Sequence, residues 1–170
     1  MSLEQQLGQI DARLRQILGG LIVDPYLTKV LQRQKDPYWY RVQFLPLLAS
    51  ATAIAEFTVE SGSDFVCLGA NAVVTDTSDA VIASVANTFD VFNPPFLVTI
   101  RHTGPGQNLM NASVAFGNIF GNRQFGPMFW PIPKVFPARA VVQTTLENLV
   151  ATDRRIRIAY IGFKAYMSKI

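Results

Sequence analysis

Ala53-Ile54-Ala55-Glu56-Phe57-Thr58-Val59-Glu60 alternates with a period of two, and the fold is read outward from it. Phe57 and Val59 share one face, while Glu56, Thr58 and Glu60 share the other. A strand with one buried face has this pattern, because successive side chains point to opposite sides. Ser61-Gly62-Ser63 reads as a turn, and Asp64–Leu68 restarts a strand. Similar runs are Val42–Leu48, Ala80–Ala86, Phe96–His102, Ala112–Phe116, Arg139–Leu146 and Arg155–Tyr166. The breaks between them are rich in Gly, Pro, Asn and Asp: Asn93-Pro94-Pro95, Gly104-Pro105-Gly106, Gly121-Asn122, Gly126-Pro127 and Val150–Asp153. Short strands with turn signals and no interleaved helices predict a mainly β chain. The expected architecture is an antiparallel β-sandwich of about eight strands, jelly-roll-like rather than of immunoglobulin type.

The N-terminal part has a different period. Leu3, Leu7, Ile10, Leu14, Ile17 and Leu21 alternate spacings of four and three. That spacing keeps one narrow apolar stripe of a helix facing a partner. Ser2 with Gln5 resembles a capping box, and Gly19-Gly20 supplies a stop. The stripe either docks on its own domain or packs against a copy or a neighbour. Asp24-Pro25 can start a second short helix through Gln34. Asp36-Pro37-Tyr38-Trp39-Tyr40 then reads as a break whose aromatics anchor a linker or form a contact patch. Residues 1–40 are thus expected to be a helical arm and linker, and residues 41–170 the sandwich.

The chain has 170 residues, 49% of them hydrophobic and only 16% charged. Soluble domains usually carry about 25% charged residues. Either the core is thick or part of the surface is buried against other subunits. The net charge of +3, with no Lys/Arg run longer than Arg154-Arg155, lacks the footprint of a nucleic-acid binder. No signal peptide and no membrane span is expected, and one cysteine suits a reducing cytosol. Cys67 also excludes an internal disulfide and a cysteine-cluster metal site, and its apolar run predicts an inert thiol.

Little chemistry is legible. His102 is the lone histidine, too few for a cupin-type metal centre. Gly104-Pro105-Gly106 is not followed by the Lys-Ser/Thr of a phosphate loop. Most of the carboxylates fall at turns or on polar strand faces. No cofactor, no metal and no enzymatic activity are expected. Arg123–Pro133 interleaves aromatics with few cations, and its prolines predict an extended loop over the sandwich. Phe129 and Trp130 in it either cover the core edge or dock into a neighbour. The candidate assembly contacts are therefore Leu3, Leu7, Ile10, Leu14, Ile17, Tyr38, Trp39, Tyr40, Phe129 and Trp130.

A resemblance runs through roughly residues 40–167. Phe96-Leu97-Val98-Thr99-Ile100 precedes Gly104-Pro105-Gly106-Gln107-Asn108-Leu109-Met110, and Val114-Ala115-Phe116-Gly117-Asn118 leads to Trp130-Pro131-Ile132-Pro133. Phe136-Pro137-Ala138-Arg139-Ala140, Leu146-Glu147-Asn148-Leu149 and a closing strand ending Gly162-Phe163-Lys164-Ala165-Tyr166 follow. This resembles small structural proteins of tailed-bacteriophage virions, especially capsid decoration (cement) and minor head proteins with a jelly-roll domain. The resemblance implies a non-enzymatic virion part, made in the host cytoplasm and commonly trimeric. Its partners would be copies of itself and the major capsid protein, with no nucleic acid and no membrane. A tail, neck, baseplate or receptor-binding component, or a carbohydrate-binding sandwich, are the alternatives.

Overall fold

The computed structural model describes residues 29–30, 32–78, 95–103, 109–110, 112–121 and 126–166. They form eight strands: β1 Lys35–Leu47, β2 Thr52–Thr58, β3 Ser63–Thr75, β4 Phe96–His102, β5 Val114–Ala115, β6 Met128–Phe136, β7 Val141–Asn148 and β8 Arg154–Tyr166. One short 3-10 turn, Phe116–Asn118, follows β5. Two antiparallel four-stranded sheets result: sheet A in the order β1-β8-β3-β6, and sheet B in the order β2-β7-β4-β5. The hydrogen-bonded pairs follow a simple plan: first with last (β1–β8), β2–β7, β3–β6 and β4–β5.

The inner faces are set by the alternation in the sequence. Tyr40, Val42 and Phe44 of β1 and Ile156, Ile158 and Tyr160 of β8 point inward from sheet A. Phe57, Phe96, Val98, Ile100, Val142 and Leu146 meet them from sheet B. Phe57 stacks on Tyr40 with ring centroids 4.4 Å apart, and packs against Tyr160 at 5.3 Å. The Tyr160 hydroxyl, fully buried, is hydrogen-bonded to Thr144 across the core. Burial pushes the ionisation of that phenol up.

The strand inventory differs from the expected one in three places, and some expected elements are not described. The expected strand Ala80–Ala86 lies outside the described residues, as do the stripe Leu3–Leu21 and most of the second helix, of which Lys29–Val30 is helical. Asp36–Tyr40, expected as a linker break, is the beginning of β1. Strand β3 runs on past Leu68 to Thr75, through the small residues Gly69, Ala70 and Ala72. Arg123–Pro133, expected as a loop, contributes Met128–Pro133 to β6.

The prolines explain the misreadings of β1 and β6. Among the described residues both are edge strands, each paired on one side only, and an edge tolerates a residue that cannot donate to the ladder. In β6 the fit is closer still. Lys134 pairs with Cys67 and Phe129 with Gly69, so Trp130–Pro133 bulge out opposite Leu68 alone. Both prolines therefore sit where the ladder is already interrupted. The bulge needs glycine: a Cβ on Gly69 would run into the Met128 carbonyl, and one on Gly162, beside it on β8, into the Val66 carbonyl.

Candidate assembly surface

Strand register assembles a row across the outside of sheet A. Trp39 on β1 pairs with Ile161 on β8, Ile161 with Gly69 on β3, and Gly69 with Phe129 on β6. Trp39 and Phe129 flank that row at 59% and 62% exposure. The next row is apolar too, running Pro37, Phe163, Val66, Val135. Val30 sits over this second row, fully buried against Val66 and Ala165, with Leu68, Val135 and Phe163 around it.

The chain is held firmly where it leaves this cover. Arg33 donates to Asp64 Oδ2 at 2.6 Å, and Asp64 Oδ1 accepts from the Ala138 amide at 2.9 Å. The Gln34 carbonyl accepts from the Tyr166 amide at 3.1 Å. Nearby, Lys164 is ion-paired with Glu60 at 2.7 Å and lies 3.5 Å from the centre of the Tyr38 ring. Desolvation lowers the Lys164 pKa, but its bond to Glu60 wins and the net shift is upward. These contacts tie β1, β3 and β8 together at one end of sheet A. Further along the same face the character turns basic, with Arg41, Arg155 and Arg157 on the outward parity.

A second apolar cluster lies at the end where β1 turns into β2 and β7 into β8. Leu45, Leu48 and Leu149 are 46%, 55% and 52% exposed there. Asn148, almost fully buried, pins both turns: its Nδ2 donates to the carbonyls of Leu48 at 3.0 Å and Thr152 at 2.9 Å, and its Oδ1 accepts from the Val150 amide at 3.1 Å. Asp153 accepts from the Ala49 amide at 2.8 Å, and the Ser50 amide donates to the Val150 carbonyl at 3.0 Å. Leu48 and Leu149 are thus presented on a rigid frame rather than on loose loops. Asn148 is the centre of the Glu-Asn-Leu phrase that the sequence singles out.

The outside of sheet B is finished differently. A shallow groove there is lined by Thr52, Ile54, Leu97, Thr99, Arg101, Ser113, Thr145 and Glu147. Thr99 and Ser113 hydroxyls are hydrogen-bonded at 2.9 Å, and Gln143 donates to Glu56 at 3.2 Å.

The sequence candidates separate on this frame. Trp39 and Phe129 share the outward row of sheet A. Tyr40 is a core residue, its hydroxyl accepting from the Glu60 amide at 3.2 Å. Tyr38 and Trp130 pack against the core, Trp130 donating from Nε1 to the Ile119 carbonyl at 3.1 Å. Leu3, Leu7, Ile10, Leu14 and Ile17 lie outside the described residues. Ile161, Phe163, Val135, Leu68 and the Leu45/Leu48/Leu149 end were not among the sequence candidates. A signal for the first two exists: from Tyr160 to Phe163, β8 is apolar on both parities, as in a strand covered on both faces.

Cys67 is buried, donates to the Gly69 carbonyl at 3.3 Å, and has its pKa pushed up to about 12 by desolvation. Partial burial lowers the pKa of His102, which lies edge-on to Phe136. Among the described residues, no three His, Cys, Asp or Glu side chains lie close enough to share a metal ion. No described helix is long and apolar enough to cross a membrane. No known family, curated protein or solved structure matches the chain.

Proposed function

We propose that this chain is a non-enzymatic structural protein of a tailed-bacteriophage virion, a capsid decoration (cement) or minor head protein on a jelly-roll domain. The observation that carries the reading is the strand pairing. Pairs β1–β8, β2–β7, β3–β6 and β4–β5 are those of one long antiparallel hairpin with its tip at β4–β5. Rolling that hairpin up drops alternate pairs into alternate sheets, which is the jelly-roll plan used by capsid and lectin domains. Apolar surface left outside the core supports an assembled state, with Leu45, Leu48 and Leu149 exposed together at one end. The protein acts as a homo-oligomer, a trimer, and bridges subunits of the major capsid protein.

The test is a residue-resolution reconstruction of particles that carry this protein. The reading expects the two-sheet domain on the head lattice, and loss of shell stability to heat in particles lacking it. A position in the tail, neck or baseplate would transfer the proposal to that component. A second reading, a carbohydrate-binding module, draws on the hydroxyl-lined groove of sheet B. Binding of a defined glycan, abolished by Thr99→Val with Thr145→Val, would favour it over the first.

A further inference from the structure

Among the described residues, the apolar outside of sheet A is only partly covered. Val30 closes over Val66 and Ala165. One row along, Trp39 and Phe129 stay 59% and 62% exposed. Two features of the chain bear on what covers them. The bonds Arg33–Asp64 and Tyr166–Gln34 fix Arg33 and Gln34 beside this face, and the residues before Lys29 are joined to it through Val30. Those residues contain an amphipathic stripe, Leu3, Leu7, Ile10, Leu14 and Ile17, whose apolar side needs a partner.

We infer that this stripe docks in cis, across the row Trp39–Ile161–Phe129 of its own domain. The dimensions fit. A helix from Leu3 to Ile17 is about 21 Å long at 1.5 Å per residue. The row spans three inter-strand gaps, about 14 Å. The stripe therefore covers the row and overhangs one edge of the sheet. The connection from Ile17 to Val30 can extend to about 40 Å, whereas the two rows are only about 7 Å apart along the strands. Tethering gives the stripe an effective concentration of order mM at this face, which a second copy rarely matches. The uncovered patch, a few hundred Å² by the size of its aromatics, is also well below the roughly 800 Å² per partner of a stable protein interface. It suits one helix stripe and is too small for a second globular domain. The cis docking does not rest on the virion reading, and it leaves the Leu45/Leu48/Leu149 end for contacts with neighbours.

The test uses the purified full-length chain. Trp130→Phe leaves Trp39 as the single tryptophan. The inference expects Trp39 emission to be blue-shifted and acrylamide quenching to be severalfold slower than in the same protein carrying Leu14→Asp and Ile17→Asp. Should Trp130→Phe disturb the fold, Phe129→Cys gives a second readout with Trp130 intact, because Cys67 is buried. The new thiol should react severalfold more slowly in the full chain than with the stripe mutated. Both protections must persist unchanged on dilution across about three decades of concentration, since a tethered contact is intramolecular. Protection that vanishes on dilution assigns the cover to another copy and overturns the inference. Equal exposure of Trp39 with and without the stripe mutations overturns it as well.

Discussion

Across the outside of sheet A the row reads Trp39, Ile161, Gly69, Phe129; across the outside of sheet B the matching row reads Ile54, Thr145, Thr99, with Ser113 beyond it. Both sheets have four strands and share one core. Their inner faces are interchangeable in character, so stability alone cannot explain why their outer faces differ. Ile54 is 63% exposed, yet its groove holds one other apolar side chain, Leu97, among hydroxyls and charges, which is ordinary for a solvated face. Trp39 and Phe129 continue into Phe163, Val135 and Leu68, which the chain has already begun to cover with Val30. Contiguity separates a face built for contact from a face built for water.

The largest break in this contrast comes at the bulge. Gly69→Val forces a side chain into the Met128 carbonyl and should cost about 3 kcal/mol or more. Hydrogen exchange should speed up first in Met128–Phe136, which carries Phe129, while β2, β7 and β4 keep their protection. Asn148→Ala comes next. It orphans buried groups in both turns of the Leu48/Leu149 end and should cost about 2 kcal/mol in urea denaturation. Under the virion reading it also lowers incorporation into particles, as does the pair Leu48→Ser, Leu149→Ser with little loss of stability.

Asp64→Asn should have a smaller effect, about 1 kcal/mol, because Arg33 keeps partial access to water. Its specific signature is loosened exchange of the residues around Val30, with sheet B untouched. On the outer faces, Trp39→Ser with Phe129→Ser removes the contacts of the docked stripe and should cost about 1 kcal/mol, whereas Ile54→Ser should change stability by no more than about 0.5 kcal/mol. Only the first pair should raise protease cleavage within residues 1–28.

The weakest effect is on pH. His102 has a folded pKa below its unfolded one because of burial. The unfolded chain therefore binds the proton more readily, so the stability His102 contributes is present above about pH 6.5 and is lost as pH falls through the folded pKa. His102→Asn should flatten that part of the stability profile.

Much of this fold is written in local pattern. The alternation of Ala53–Glu60 gives β2, with Phe57 and Val59 on the buried face, and the run Arg155–Tyr166 gives β8. Edge strands are harder to read, because an edge accepts what a central strand rejects. Pro37 hides the start of β1, and Pro131 and Pro133 hide β6. Strand β3 continues through Gly69-Ala70-Asn71-Ala72, where small residues let β6 and Gly121 come close, and low β propensity masks it. For the surface, the sequence flags Trp39 and Phe129 one at a time. Their meeting depends on the register 39–161–69–129, a non-local relation that no local period contains. The role of Asn148 is equally hidden, since its partners lie on a turn about a hundred residues away as well as on its own.

Hydroxyl-radical footprinting of the full-length protein, read out by mass spectrometry, compares the two faces in one experiment. Trp39 and Phe129 are predicted to be oxidised far more slowly than their intrinsic reactivity, while Ile54 on sheet B is oxidised at the rate of an open side chain. Trp39 and Phe129 oxidised as readily as in a denatured control would contradict the claim that the outside of sheet A is a covered surface.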